Sequence, residues 1–218
     1  MGKPLVRVFG DDLEALPWTP TGAEGVSEKM LALDADDGSW SRLLLLEAGA
    51  TYTREGGWLY ETYVLEGAGN LDPNVLRTGA YVCSRPGADS TEEISATERT
   101  TIFELRDRSL DKPAAAWPAD RLESEPWTPE EYGENKLLTR GESGSDTLLT
   151  RVLKGSEEEP AEAHQYTEEI LFIEGFCEEV GVGPNVALGY TCFPPGTMHG
   201  PYTFDDADLL LLEINNYS

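Results

Sequence analysis

The chain repeats itself, and a tandem repeat restricts the fold to an architecture that can be built twice in succession. Pro17-Trp18-Thr19-Pro20 recurs as Pro126-Trp127-Thr128-Pro129, and Lys29-Met30-Leu31 as Lys136-Leu137-Leu138. Gly38-Ser39 returns as Gly144-Ser145, and Val64-Leu65-Glu66-Gly67 as Phe172-Ile173-Glu174-Gly175. Tyr81-Val82-Cys83 with Pro86-Gly87 matches Tyr190-Thr191-Cys192 with Pro195-Gly196, and Ile102-Phe103-Glu104-Leu105 matches Leu211-Leu212-Glu213-Ile214. The offset stays between 106 and 109 through all six pairs, in the same order. One such match is chance; six in register are a duplication.

Each copy reads as short strands broken by glycine, proline, aspartate and asparagine. In the first copy these are Arg42 to Glu47, Tyr60 to Leu65, Ala80 to Ser84 and Thr101 to Leu105. In the second they are Thr147 to Leu153, Glu168 to Ile173, Gly189 to Phe193 and Leu209 to Ile214. No segment carries a 3.6-residue apolar stripe with a capping signal. The expectation is an all-β protein of two sandwiches or barrels. The proline-bearing stretch 111–125 reads as a linker between a first domain over 1–110 and a second over 126–218.

Charge and cysteine content exclude several classes. Forty-one acidic residues face 16 basic ones, a net charge of -25, so phosphate backbones and anionic lipid surfaces are repelled. Nucleic-acid and membrane partners are therefore not expected. Only five of the bases are lysine, a balance that resembles proteins of high-salt cytoplasm as well as ordinary acidic ones. The N-terminus lacks a secretory h-region and no apolar run approaches a membrane span. Cys83, Cys177 and Cys192 are too few for a disulfide framework and read as reduced thiols, which together suggests a cytoplasmic protein.

Both histidines of the chain, His164 and His199, lie in the second copy. A neutral imidazole is the commonest metal ligand among side chains, so their surroundings matter. Residues two apart on a strand share a face, so Glu162 and His164 can look into one interior, and Glu168 opens the next strand toward the same space. His199 follows the turn Pro194-Pro195-Gly196-Thr197-Met198.

This pattern resembles the cupin superfamily, whose first motif is G-x5-H-x-H-x(3,4)-E-x6-G and second G-x5-P-x-G-x2-H-x3-N. His164, Glu168 and Gly175 keep the first motif's spacing, and Pro195-Gly196 with His199 supplies the core of the second. The resemblance implies two tandem jelly-roll barrels, with one divalent metal ion held by His164, Glu168 and His199 in the second. Iron or zinc fits best, with manganese, nickel or copper as alternatives. Glu162 stands in the slot of the missing first histidine, as a fourth ligand or a base, and Thr203 replaces the motif's asparagine. In the first copy Arg54, Gly56, Tyr60 and Ser90 fall opposite Glu162, His164, Glu168 and His199, a set that cannot hold a metal.

The Pro-Trp-Thr-Pro lead-in and the Tyr-x-Cys-x-x-Pro-Gly segment are similar to a cupin subgroup that includes the zinc-binding barrel of the ChrR anti-sigma factor and small dioxygenases cleaving hydroxyketones. That resemblance implies a metal-dependent enzyme of dioxygenase type, cleaving a carbon–carbon bond of a ketone, with Glu162 and Tyr166 as the catalytic side chains. The alternative it leaves open is a non-enzymatic zinc sensor or ligand-binding module. A small-molecule ligand and a homodimer are the implied partners. Glu169, one residue out of phase with Glu168, is expected to face outward. Cys177 reads as packing, with a place on the cavity wall as the alternative, and Tyr166 and Tyr202 as packing or substrate contacts. The acidic runs Glu157 to Glu159 and Asp205-Asp206 read as solvated loops.

Overall fold

A computed structural model describes residues 2–108, 110–204 and 207–217. The acidic pair Asp205-Asp206 lies outside the described residues. The chain divides into two compact units, Pro17–Glu125 and Met1–Leu16 with Pro126–Ser218.

The first unit is a two-sheet barrel. Its larger sheet runs, in spatial order, Ala115–Trp117, Tyr81–Ser84, Leu59–Glu66, Thr100–Asp107, Trp40–Leu46, Val26–Leu33 and Thr19–Pro20. The smaller contains Thr51–Glu55, Thr91–Ala96, Ala68–Leu71 and Asn74–Arg77. The second unit repeats the larger sheet as Val6–Val8, Tyr190–Phe193, Thr167–Glu174, Leu209–Asn216, Asp146–Val152, Glu134–Arg140 and Thr128–Pro129. Its smaller sheet is Gly183–Val186, Phe176–Glu179 and Tyr202–Thr203. All pairings within these sheets are antiparallel. The all-β, two-barrel expectation holds, and each of the eight strands read from the sequence is present to within two residues at either end.

The strands form where the residues can be buried. Trp40–Leu46 is buried along its whole length, and Leu44, Leu46, Val64, Leu71 and Ile102 anchor the first core. Phe172, Phe193, Phe204, Leu209 and Leu211 do the same in the second. At Gly175, φ is +90° and a Cβ would lie 1.9 Å from the carbonyl oxygen of Asp208. Only glycine lets the two backbones approach so closely, which explains its return in both copies.

The units do not follow the repeat boundaries. Val6–Val8, at the head of the first repeat, pairs with Tyr190–Phe193 of the second barrel, Val6 opposite Cys192. Ala115–Trp117, at the head of the second repeat, pairs with Tyr81–Ser84 of the first, Ala115 opposite Cys83. Each repeat thus lends its leading strand to the other's barrel. A buried ion pair fixes both exchanges. Lys3 Nζ lies 2.6 Å from Glu169 Oε1, and Lys112 Nζ 2.9 Å from Glu61 Oε1. Tyr190 and Tyr81 donate to the same two carboxylates, each at 2.5 Å.

Three expectations change accordingly. The stretch 111–125 is not a bare linker, since it carries the Ala115–Trp117 strand and a helix, Ala119–Ser124. That helix and its copy Gly10–Ala15 are six residues long, too short for a periodic stripe to register in the sequence, and each buries one leucine, Leu122 and Leu13. Glu169 does point away from Glu168, but it is 2% exposed rather than outward-facing, because the exchanged Lys3 covers it. No helix among the described residues is long and apolar enough to cross a membrane.

Candidate metal centre

Four side chains from three segments meet in the second barrel. Glu168 stands near the start of Thr167–Glu174, directly opposite Phe193 and Asn215 on the neighbouring strands. Glu162 and His164 precede that strand, and His199 follows the Pro195-Gly196 turn. The strand expected to carry Glu162 and His164 is absent here: Glu162 forms an isolated bridge with His199. Two reciprocal backbone bonds of 3.0 Å tie Glu162 to His199, and Gly196 N–H donates to the His164 carbonyl at 2.7 Å. The two ligand-bearing loops are pinned to each other.

The donor atoms are closely spaced. His164 Nε2 lies 3.3 Å from Glu162 Oε1 and 3.7 Å from Glu168 Oε1. His199 Nε2 lies 3.1 Å from Glu168 Oε2 and 4.0 Å from Glu162 Oε1. One donor atom each from Glu162, His164 and His199 fall within 4.8 Å of one another. A divalent cation bonding at the usual lengths spaces its donors by roughly 3 to 4.4 Å. The set fits such an ion.

Unmet polarity points the same way. His164 Nε2 is buried and makes no hydrogen bond, a costly state for a polar atom of this kind, and Glu168 Oε2 is buried beside the His199 imidazole, 3.1 Å from its Nε2. His199 Nδ1 lies 3.2 Å from the carbonyl oxygen of Thr197, which can only accept. That contact places a proton on Nδ1 and leaves Nε2 facing the cluster, the orienting device common behind metal-bound imidazoles. Phe193 stacks on the His199 ring at 4.2 Å, and Tyr166 on the His164 ring at 4.6 Å, so both imidazoles are held flat. Burial alone would lower the His199 pKa, but the Glu168 carboxylate, the Thr197 carbonyl and Glu162 together raise it above its ordinary value.

Beside the cluster lies a cavity of about 290 Å³. Phe172, Leu211, Leu148 and Val152 form apolar wall, while Glu159, Glu213 and Tyr202 supply polar groups. Glu213 is directly opposite Ile170, two residues along from the Glu168–Asn215 pair, so cavity and donors occupy successive rows of one sheet face. Burial pushes Glu213 up to about 8, the nearby Glu168 charge adds to this, and hydrogen bonds from Asn215 and Thr150 oppose it. Burial likewise raises Glu159 to about 7, with Glu162 and Glu168 contributing. A carboxyl poised near neutrality can exchange protons at ordinary pH.

The sequence-read residues therefore assemble: Glu162, His164, Glu168 and His199 converge, and Tyr166 packs on His164. Tyr202 lines the cavity and its ring lies 6.3 Å from that of His199. Cys177, read as packing, is buried and also lines the cavity. Glu159 and Glu213 were missed. Glu159 looked like part of a solvated acidic run. Glu213 carried a usable signal, a carboxylate inside an apolar strand that recurs at Glu104.

The equivalent space in the first barrel is filled by arginine. Arg54, opposite Glu162 in the repeat and 1% exposed, donates to Glu104 at 2.6 Å, to Glu92 at 3.0 Å and to the Thr62 hydroxyl. Arg42 donates to the other oxygen of Glu104 and to Glu28. Burial would raise the Glu104 pKa, but these two guanidinium groups hold it below the usual carboxylate value.

Comparison with other proteins agrees with this architecture. The sequence profile of the ChrR Cupin-like domain matches residues 8–107. A Cupin 2 conserved barrel domain protein from Leptotrichia buccalis superposes with a TM-score of 0.64 at 16% identity, over 88% of this chain and 89% of that one. The chain has the two-barrel cupin fold. A candidate dioxygenase from Nostoc punctiforme has the same fold, with a TM-score of 0.71 at 17% identity, over 98% of this chain and 79% of its own. Oxalate decarboxylase from Bacillus subtilis gives 0.64 at 12% identity, over 94% and 75%. No curated protein sequence matches the chain. The profile match falls on the repeat that lacks the histidines, so the ChrR-like sequence and the candidate metal centre lie in different halves of the chain.

Proposed function

We propose that this cupin is a metal-dependent small-molecule enzyme whose second barrel holds one divalent ion on His164, Glu168, His199 and Glu162. The observation that carries the reading is the convergence of two imidazoles and two carboxylates beside a largely apolar cavity. A centre that served only structure or sensing has no need of such a cavity. Iron is the ion favoured for a set of two histidines and a carboxylate. When bound it supplies Lewis acidity and the electron transfer that dioxygen-dependent cleavage of a ketone's carbon–carbon bond requires.

The chain's own groups fit such a reaction. The Glu162 side chain is 43% exposed, far more than Glu168 at 6%, so it is the donor that a ligand displaces most readily. Tyr166 keeps its hydroxyl proton, because burial and the Glu168 charge raise its pKa, and it can donate to a substrate oxygen above His164. The apolar walls exclude water and orient a small carbon skeleton.

The test is elemental analysis of untagged protein and of His164→Ala, followed by oxygen uptake with a hydroxyketone panel. About one equivalent of metal in the ordinary protein and a loss of most of it in the variant is expected. Equal metal content in the two ends the ligand assignment. Full metal content with no ketone-dependent oxygen uptake ends the dioxygenase reading while leaving the metal centre.

A further inference from the structure

We propose that the cavity of the second barrel binds a small organic cation, an ammonium or guanidinium group on a short apolar skeleton, with Glu213 as its counter-ion. As a statement about substrate this rests on the enzymatic reading above; as a statement about charge preference it stands on the cavity alone.

The two barrels provide an internal comparison. In the first, Glu104 lies directly opposite Arg42 on the neighbouring strand, and both Arg42 and Arg54 donate to it. In the second, Glu213 is the counterpart of Glu104 and lies directly opposite Leu148. The counterpart of Arg54 is Glu162, which turns to the histidines. The same strand position therefore keeps its carboxylate and loses both guanidinium partners. Leu148, far shorter than arginine, lines the cavity instead. The empty volume stands where the first barrel places a positively charged side chain.

Among the described residues, no lysine or arginine of the second barrel lines the cavity. Thr150 and Asn215, which donate to Glu213, are neutral. Lys3 is engaged with Glu169, Arg7 with Glu179 and Arg151 with Glu134. Among the described residues, three carboxyl groups line the cavity, from Glu130, Glu159 and Glu213, and no lysine, arginine or histidine does. An anionic ligand would enter a negative field with no base to meet it. A cation takes the place of the proton that burial otherwise leaves on Glu213, and packs against the aromatic rings of Phe172 and Tyr202, which attract positive charge. The volume, about 290 Å³, is at the small end of ligand pockets, so the skeleton is short.

Calorimetric titration of the full chain with benzylammonium, benzyl alcohol and benzoate tests this, because the three share a skeleton and differ in charge. Each is measured on metal-chelated protein, so that no probe binds through an ion, and again after metal content has been determined. Benzylammonium should bind at least about tenfold tighter than benzyl alcohol, the worth of one charge-assisted hydrogen bond, and benzoate more weakly still. Glu213→Gln should abolish the tenfold preference. Leu148→Arg, which supplies the first barrel's guanidinium, should abolish benzylammonium binding without lowering the melting temperature, and that melting temperature shows the variant is folded. Equal or tighter binding of benzyl alcohol or benzoate overturns the proposal. So does unchanged benzylammonium affinity in Glu213→Gln, or no binding of either benzylammonium or the slimmer butylammonium. Protein that prefers benzylammonium but holds no metal keeps this inference and sinks the metal centre. Protein that holds metal but prefers benzoate does the reverse.

Discussion

Replacing Arg54 by methionine tests whether the first barrel depends on charge compensation in its interior. Arg54 is 1% exposed and Glu104 is fully buried, so solvent screens neither. Removing one member of a buried pair typically costs about 3 to 5 kcal/mol, mostly because the other charge is stranded. Here Arg42 still holds Glu104 Oε2 at 2.5 Å, which places the expected cost near the lower figure, about 3 kcal/mol. For a unit of this size that is a fall of about 12 °C in melting temperature. Tryptophan fluorescence reads this barrel selectively, since Trp18, Trp40, Trp58 and Trp117 belong to it and only Trp127 to the other. The double variant Arg54→Met with Glu104→Leu should recover most of the loss, because Arg42 keeps Glu28 and the part-exposed Glu92, which loses Arg54, keeps the Ser84 hydroxyl.

The pH dependence gives the sign a second check. The folded-state pKa of Glu104 is depressed, so its stabilisation is present above the ordinary carboxylate value and is lost as pH falls through the depressed one. In Arg54→Met part of the depressing charge is gone and burial pushes the pKa back up. The carboxyl then protonates earlier, and the gap between ordinary and variant protein should narrow below about pH 4. A fall of less than about 4 °C at neutral pH, or a gap that widens in acid, would refute the reasoning.

Two further outcomes concern the second barrel, read by hydrogen exchange in Leu209–Asn216 and Tyr190–Phe193. Glu213 has its folded pKa raised to about 8, so its contribution is complete below the unfolded value and fades as pH rises toward 8. In metal-chelated protein, Glu213→Gln should therefore gain protection relative to the ordinary chain between about pH 5 and 8; an unchanged difference counts against a buried, protonated carboxyl. Lys3→Met strands Glu169 and should cost the barrel about 3 kcal/mol, exposing Tyr190–Phe193 to exchange. Protection equal to the ordinary chain would mean that the exchanged strand is not held by this pair.

The residues that were legible in the sequence are those with short-range or repeated signals. The apolar runs within Trp40–Leu46 and Leu209–Asn216 announce buried strands in any setting. His164, Glu168 and Gly175 keep a spacing measured along one stretch of chain, and His199 sits three residues past a Pro-Gly turn. What was not legible depends on partners far away. Val6–Val8 is three residues long, and its pairing with Tyr190–Phe193 spans nearly the whole chain, so no local pattern reveals it. Thr51–Glu55 and Thr91–Ala96 are polar strands whose pairing, not hydrophobicity, defines them. Glu213 and Glu159 are two among 41 acidic residues; Glu213 stands out as a carboxylate within an apolar strand, but the loss of its arginine partners shows only in the strand pairing. Glu169 shows that phase fixes which side a residue takes, while burial depends on what covers that side.

The two barrels solve one electrostatic problem in different ways. Both repeats place a carboxylate in the middle of the last core strand, Glu104 fully buried and Glu213 partly buried against the cavity. The first barrel answers with Arg42 and Arg54, two permanent charges built into the chain, and the interior closes around them. In the second, those positions are Leu148 and Glu162, the interior gains Glu168, and the bases beside these carboxylates are two histidines with weak, conditional charge, the buried Lys3 being paired with Glu169. Such an interior is short of positive charge by construction. Proton uptake by Glu159 and Glu213 relieves part of that shortage, and a divalent ion among the four donors would relieve the rest. The substitution of arginine by glutamate at the position of Glu162 therefore converts a self-neutralised scaffold into a site that must recruit its cations from outside.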